Sequence, residues 1–110
     1  MKLDVGMYVR TEKGKIDKII GFDGALILFL YDFVYGYIDE NDIIKASHNI
    51  IDLIEVGDYV NGLEVYETGI FGHNGKTFCR LYGNVAPFYN EDVKSIVTKE
   101  HFKDSEYVVE

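Results

Sequence analysis

The chain has 110 residues, of which 47% are hydrophobic and 15% aromatic, enough to build the core of one ordinary domain or of two very small units, and too much for a disordered chain. Its formal charge is −8, divided as −2 over residues 1–51 and −6 over residues 52–110, with no lysine- or arginine-rich run, so direct nucleic-acid binding is not expected. One cysteine, Cys79, excludes an internal disulfide, and the longest apolar stretch, Ala25 to Tyr31, is too short to span a bilayer; with no signal-like run after Met1, the expectation is a soluble protein in a reducing cytoplasm.

Eleven glycines and a single proline, Pro87, point to short strands joined by tight turns. The first strand expected is Met7–Thr11. Lys15–Phe22 and Ala25–Tyr31 then flank Asp23-Gly24, a dipeptide suited to a type I′ hairpin because both central residues need positive φ. The acidic turn Asp39–Asp42 ahead of Ile43-Ile44 reads as a 3₁₀ element. Asn49 opens Asn49–Ile54 as the N-cap of a helical turn. Asp58–Asn61 is the next strand, followed by Glu64–Phe71 and Lys76–Tyr82 around Asn74-Gly75, and by a second acidic turn, Asn90–Asp92, before Val93. Thr98 caps a short helix over 99–103, and Glu106–Val109 adds an edge strand.

These segments recur. At an offset of 51 the chain matches itself without gaps from Val5 to Glu40, with about 11 identities in 36 positions where unrelated sequence would give roughly two or three. Val5, Gly6, Tyr8 and Val9 fall on Val56, Gly57, Tyr59 and Val60; Leu30, Tyr31, Val34 and Glu40 fall on Leu81, Tyr82, Val85 and Glu91. Such self-similarity marks a duplicated supersecondary unit. Five short strands in each unit, with Gly57-Asp58-Tyr59-Val60 opening the second, resemble an SH3-like barrel. The expected fold is therefore mainly β: two tandem SH3-like barrels with short helical turns, unit 1 over 1–48 and unit 2 over 49–110.

The strand after each hairpin is where the copies differ. Alternation sets Leu26, Leu28 and Leu30 on one face, against Thr77, Cys79 and Leu81, and this face is expected to be core. The other face carries Ile27, Phe29 and Tyr31 in the first copy and Phe78, Arg80 and Tyr82 in the second. A strand apolar on both faces is normally covered on both, so Ile27, Phe29 and Phe33 are expected to pack against the other unit, a second copy of the chain, or a ligand or partner. Cys79 reads as a small buried hydrophobe.

No catalytic constellation is found. His48, His73 and His101 lack ligand spacing for a metal, Asp39-Glu40-Asn41-Asp42 lacks the calcium-loop pattern, and no phosphate loop or nucleophile elbow occurs. The expectation is a non-catalytic binding protein without a cofactor or metal. Aromatic rings with a few cations can stack a nucleobase and hold its phosphates. The residues chosen for that role are Arg10 and Arg80, the only arginines, with His73, Tyr82, Tyr31 and Tyr35.

Asn49–Val60 (NIIDLIEVGDYV) and Asp92–Phe102 (DVKSIVTKEHF) resemble small uncharacterised proteins encoded by phages and prophages of Gram-positive bacteria. The resemblance implies phage origin and the host cytoplasm, and supplies no catalytic residues. Small phage proteins without enzymatic motifs are often counter-defence factors. The reading placed first is a sponge that sequesters a host immune nucleotide signal. The alternatives are an acidic, protein-directed inhibitor of a host defence complex, comparable to anti-CRISPR proteins, and a structural or regulatory accessory protein. A homodimer or higher homo-oligomer would suit the sponge.

Overall fold

The structure is a computed structural model that describes residues 2–24, 26–31, 34–101 and 106–109. It is mainly β, and the helical content of the described residues is confined to 3₁₀ turns. The first half contains β1 (Tyr8–Thr11), β2 (Ile16–Lys18), β3 (Gly21–Asp23), β4 (Leu26–Tyr31) and β5 (Val34–Asp39), then the turn η1 (Glu40–Asp42) and β6 (Ile43–Ser47). The turn η2 (Ile50–Leu53) leads into β7 (Tyr59–Val60), β8 (Leu63–Ile70), β9 (Thr77–Leu81), η3 (Asn90–Asp92), β10 (Ser95–Val97), η4 (Lys99–His101) and β11 (Glu106–Val108). Both acidic turns expected to be 3₁₀ are so. Asp39 caps the first by accepting the Asn41 N–H, and the Asp92 carboxylate accepts the Tyr89 N–H at the second.

Among the described residues three antiparallel sheets form, ordered β2-β1-β6, β3-β4-β5 and β11-β10-β7-β8-β9, and none closes into a barrel. The segment expected as one strand over Lys15–Phe22 breaks at Ile19-Ile20. There Ile19 exchanges backbone bonds with Gly6 and Met7, while Ile20 donates to Leu28, so β2 and β3 join different sheets. In the second half β8 stays continuous and changes partner from β7 to β9 through a bulge between Val65 and Glu67.

The hairpins differ from expectation in a way their registers explain. Asp23 pairs with Leu26, so Asp23 is a strand residue, and only Gly24 of the dipeptide has positive φ. In the second half Ile70 pairs with Thr77, and the Gly75 N–H donates to the Phe71 carbonyl, which makes a longer loop. The one adjacent pair of described residues with left-handed φ on both members is Asn61 (φ 51°) and Gly62 (φ 83°), between the paired Val60 and Leu63. Asn61 also fixes this turn to the start of β10: its side chain donates to the Asp92 carbonyl and accepts from the Lys94 and Ser95 N–H groups.

Two hydrophobic clusters result. One lies within the first half and contains Val9, Ile19, Ile27, Phe29 and Ile43. The other gathers Val60, Val65, Cys79, Leu81, Val93 and Ile96 from the second half with Ile50, Ile51, Leu53 and Ile54 of the connecting segment and Ile16 of the first half. The connecting turn is therefore core. Asn49 stands at its N-cap position without a side-chain capping bond; instead its N–H donates to Ser47 Oγ, and Asn90 Oδ1 accepts the Ile51 N–H.

The expected core face of β4 is corrected. Ile27 and Phe29, expected to be an interface face, are buried in the first half's own cluster, and Leu26 on the opposite face is 41% exposed. In β9 the buried positions are Cys79 and Leu81, as expected, although Phe78 on the other face is also covered. Phe33, the third expected interface residue, lies outside the described residues. Among the described residues no helix is long and apolar enough to cross a membrane.

Candidate functional site

The two arginines singled out by the sequence have separate fates. Arg10, on β1, is fully buried among carboxylates from the second half. Both of its terminal nitrogens bond Asp58, Nη1 also donates to the Leu53 carbonyl (2.9 Å), and Nη2 also donates to Glu100 Oε1 (2.7 Å). Glu55 Oε2 stands 3.6 Å from Nε. Asp58 is itself buried and accepts the Glu55 and Lys99 N–H groups. Lys45 and Lys99 complete the cluster on Glu55, at 3.2 and 2.9 Å. Three cations and three carboxylates thus balance where the halves meet.

Each shifted group there follows from its surroundings. Burial works against the charge on Arg10, but Asp58, Glu55 and Glu100 outweigh it, and the guanidinium titrates above its ordinary value. Burial opposes ionisation of Glu55, and the cations Lys99, Arg10 and Lys45 overcome it, so Glu55 titrates below its ordinary value. The Lys99 ammonium, bonded to Glu55, is held above its own. The loop after β1 is fitted to this cluster: a Cβ at Gly14 would lie 2.6 Å from that of Glu100, and the Gly14 carbonyl accepts the Thr98 hydroxyl. This bond ties Thr98, the residue before η4, to the junction. Arg10 is not the anion receptor expected from the sequence: its bidentate fork is already filled by Asp58, and its side chain is fully buried.

Arg80 is the opposite case. It sits on the outer face of β9, half-buried, with Nε in an ion pair with Glu67 Oε1 at 2.9 Å. Its guanidinium lies over the rings of Phe78 (5.3 Å) and Phe71 (5.8 Å). Those two rings stack at 4.3 Å, and Phe78 covers the bare backbone of Gly69 on the neighbouring strand. His73 reaches the same cluster from the hairpin loop, 5.9 Å from Phe71, and Tyr89 joins at 6.1 Å with Lys76 over its ring. Tyr82, in the turn just after β9, pairs with Tyr66 of β8 at 4.8 Å. Tyr82 is 58% exposed.

Arg80, Tyr82 and His73 are thus gathered on one outer face, and the sequence reading missed Tyr66, Glu67 and Phe71 on it. Period-2 alternation along β8 would have placed Glu67 and Phe71 together, but the bulge beside Tyr66 is not visible from alternation alone. The side chains of Tyr31 and Tyr35 lie outside the described residues. Cys79 lies under this face: burial first, then the charges of Asp92 and Asp58, push its thiol up to about 11, which leaves a poor nucleophile. Among the described residues no group of three or more histidine, cysteine or acidic side chains is arranged to hold a metal ion. No family model, curated protein or solved structure matches the chain.

Proposed function

We propose that the chain is a non-catalytic, protein-directed binding module whose recognition surface is the outer face of β8 and β9. The observation that carries this reading is the Arg80 guanidinium lying on the Phe78–Phe71 stack beside the exposed Tyr66–Tyr82 pair. Arginine and tyrosine are the residues that concentrate binding energy at the centres of protein interfaces, because large rigid surfaces lose little entropy on docking. The half that carries the face holds −6 of the −8 net charge, which suits a basic partner. The phage resemblance supports a host defence complex as the target and the host cytoplasm as the setting. It also fits a duplicated origin: the pair Leu28↔Tyr37 in the first half has its counterpart, at the same offset, in Cys79↔Phe88 in the second.

Sequestration of a nucleotide has less support. Arg10 is consumed inside the protein, and the remaining expected residues with described side chains stand on an open face, whereas small ligands are generally held in concave pockets. The discriminating experiment is a thermal-shift panel of cyclic and ADP-ribose-type nucleotides, run beside co-purification from phage-infected host cells. The protein-directed reading expects no nucleotide shift, and capture of a basic host protein that weakens as salt rises and is lost in Arg80→Ala and Tyr82→Ala. A saturable nucleotide shift abolished by Arg80→Ala would replace this reading with the sponge.

A further inference from the structure

The two halves end their sheets differently. In the second half the segment beyond β9 forms one isolated ladder bridge with it, Cys79↔Phe88, and Pro87, which has no N–H to donate, stands next to that bridge. In the first half the corresponding segment is β5, a full strand of six residues with Gly36 where the second half has Pro87. β5 pairs with β4 along its whole length, and among the described residues no strand lies on its other side. An unblunted strand edge presents main-chain donors and acceptors at a spacing that only another extended backbone matches.

That edge borders a cleft of about 360 Å³. Gly36, Tyr37 and Ile38 form one wall, and Thr11, Glu12, Lys13 and Lys15 of the β1–β2 turn form the other. The cleft is too small for a folded element but takes one large apolar side chain of a strand running beside β5. Its end is acidic: Asp42 lines it, and Asp39 and Glu40 stand exposed at the end of β5.

We infer that the β5 edge is a second interaction surface, taking an extended peptide segment of a partner protein by strand addition, with an apolar side chain in the cleft and a basic residue over the Asp39–Asp42 turn. A second copy of the chain fits less well, because β5 itself (VYGYID) carries no basic residue to meet the acidic Asp39–Asp42 turn. This surface is independent of the outer face of β8 and β9 and stands if that reading fails.

The test uses the whole protein and a defined probe, a heptapeptide of alternating lysine and valine with a central phenylalanine. It is compared with a twin N-methylated at alternate amides and a twin carrying glutamate for lysine. In ¹H–¹⁵N spectra the first peptide should shift resonances of Thr11–Lys15 and Val34–Asp42 and leave Arg80 and Tyr82 unmoved. Both twins should bind roughly tenfold more weakly or not at all, since one lacks the strand donors and the other meets like charge. Gly36→Pro should abolish the shifts with the circular dichroism unchanged. Asp42→Lys, which leaves the strand backbone intact, should weaken the lysine peptide and favour the glutamate twin. Absence of shifts at millimolar peptide, shifts centred elsewhere, or equal binding of the N-methylated twin would overturn the proposal. So would a peptide-free dimer that Gly36→Pro dissociates, since the edge would then belong to a second copy.

Discussion

β4 and β9 occupy aligned positions in the two halves, yet they turn opposite faces to their cores. Ile27 and Phe29 are buried in β4, while in β9 it is Cys79 and Leu81, the counterparts of Leu28 and Leu30, that line the core. A one-residue change of facing moves every side chain of a strand to the other side, so similar sequence can present different surfaces. The visible causes are local: β2 and β3 part at Ile19-Ile20, whereas β8 bulges near Tyr66 and continues. The outcome is an apolar strand that feeds the first half's own core, and an aromatic–arginine strand that faces outward in the second.

The largest effects should come from the residues that are sealed. Phe29→Ala should cost about 3–5 kcal/mol by leaving a cavity in the first cluster, while Leu28→Ala, at a half-buried position on the opposite side, should cost about 1–2 kcal/mol. Denaturant unfolding of the pair measures the contrast, and equal losses would break the comparison. Arg10→Met should be as severe, about 3–5 kcal/mol, because it strands the buried Asp58. Adding Asp58→Asn should recover part of that loss, a non-additivity that distinguishes a charge cluster from simple packing.

Asn61→Ala sharpens the comparison at the turns. It removes three side-chain hydrogen bonds and places alanine at φ 51°, for a loss of about 1–3 kcal/mol. Acid should act on the junction and more weakly. Glu55 titrates lower in the folded state than unfolded, so its contribution is complete above the ordinary glutamate range and is lost as the pH falls through the folded value. Glu55→Gln should flatten that part of the stability–pH curve. Arg80→Ala and Tyr82→Ala should change stability by no more than about 0.5 kcal/mol, since the Glu67 pair is partly solvated, while removing partner capture.

Much of the local structure was legible. Period-2 apolar patterning located most of the strands, and the acidic segments before Ile43 and Val93 marked both 3₁₀ turns. The Asn61-Gly62 hairpin was written just as plainly, between apolar flanks, but the repeat sets those residues against Arg10 and Thr11, which form no such turn. Arg10 itself could not be read locally. Its partners Asp58 and Glu100 lie 48 and 90 residues away, and only the meeting of the halves brings them to it. Arg80, Tyr82 and His73 were legible as a group because strand alternation and one hairpin suffice to assemble them.

Thiol labelling in the native state tests the reversal of faces most directly. Cys79 is fully buried, with its thiol pushed up to about 11, and Leu28, its aligned counterpart, lies on the side of β4 turned away from the core. In folded protein a maleimide should leave Cys79 unmodified while labelling the half-buried Leu28→Cys measurably faster in a Cys79→Ala background. Equal protection of the two positions, or faster reaction at Cys79, would contradict the account.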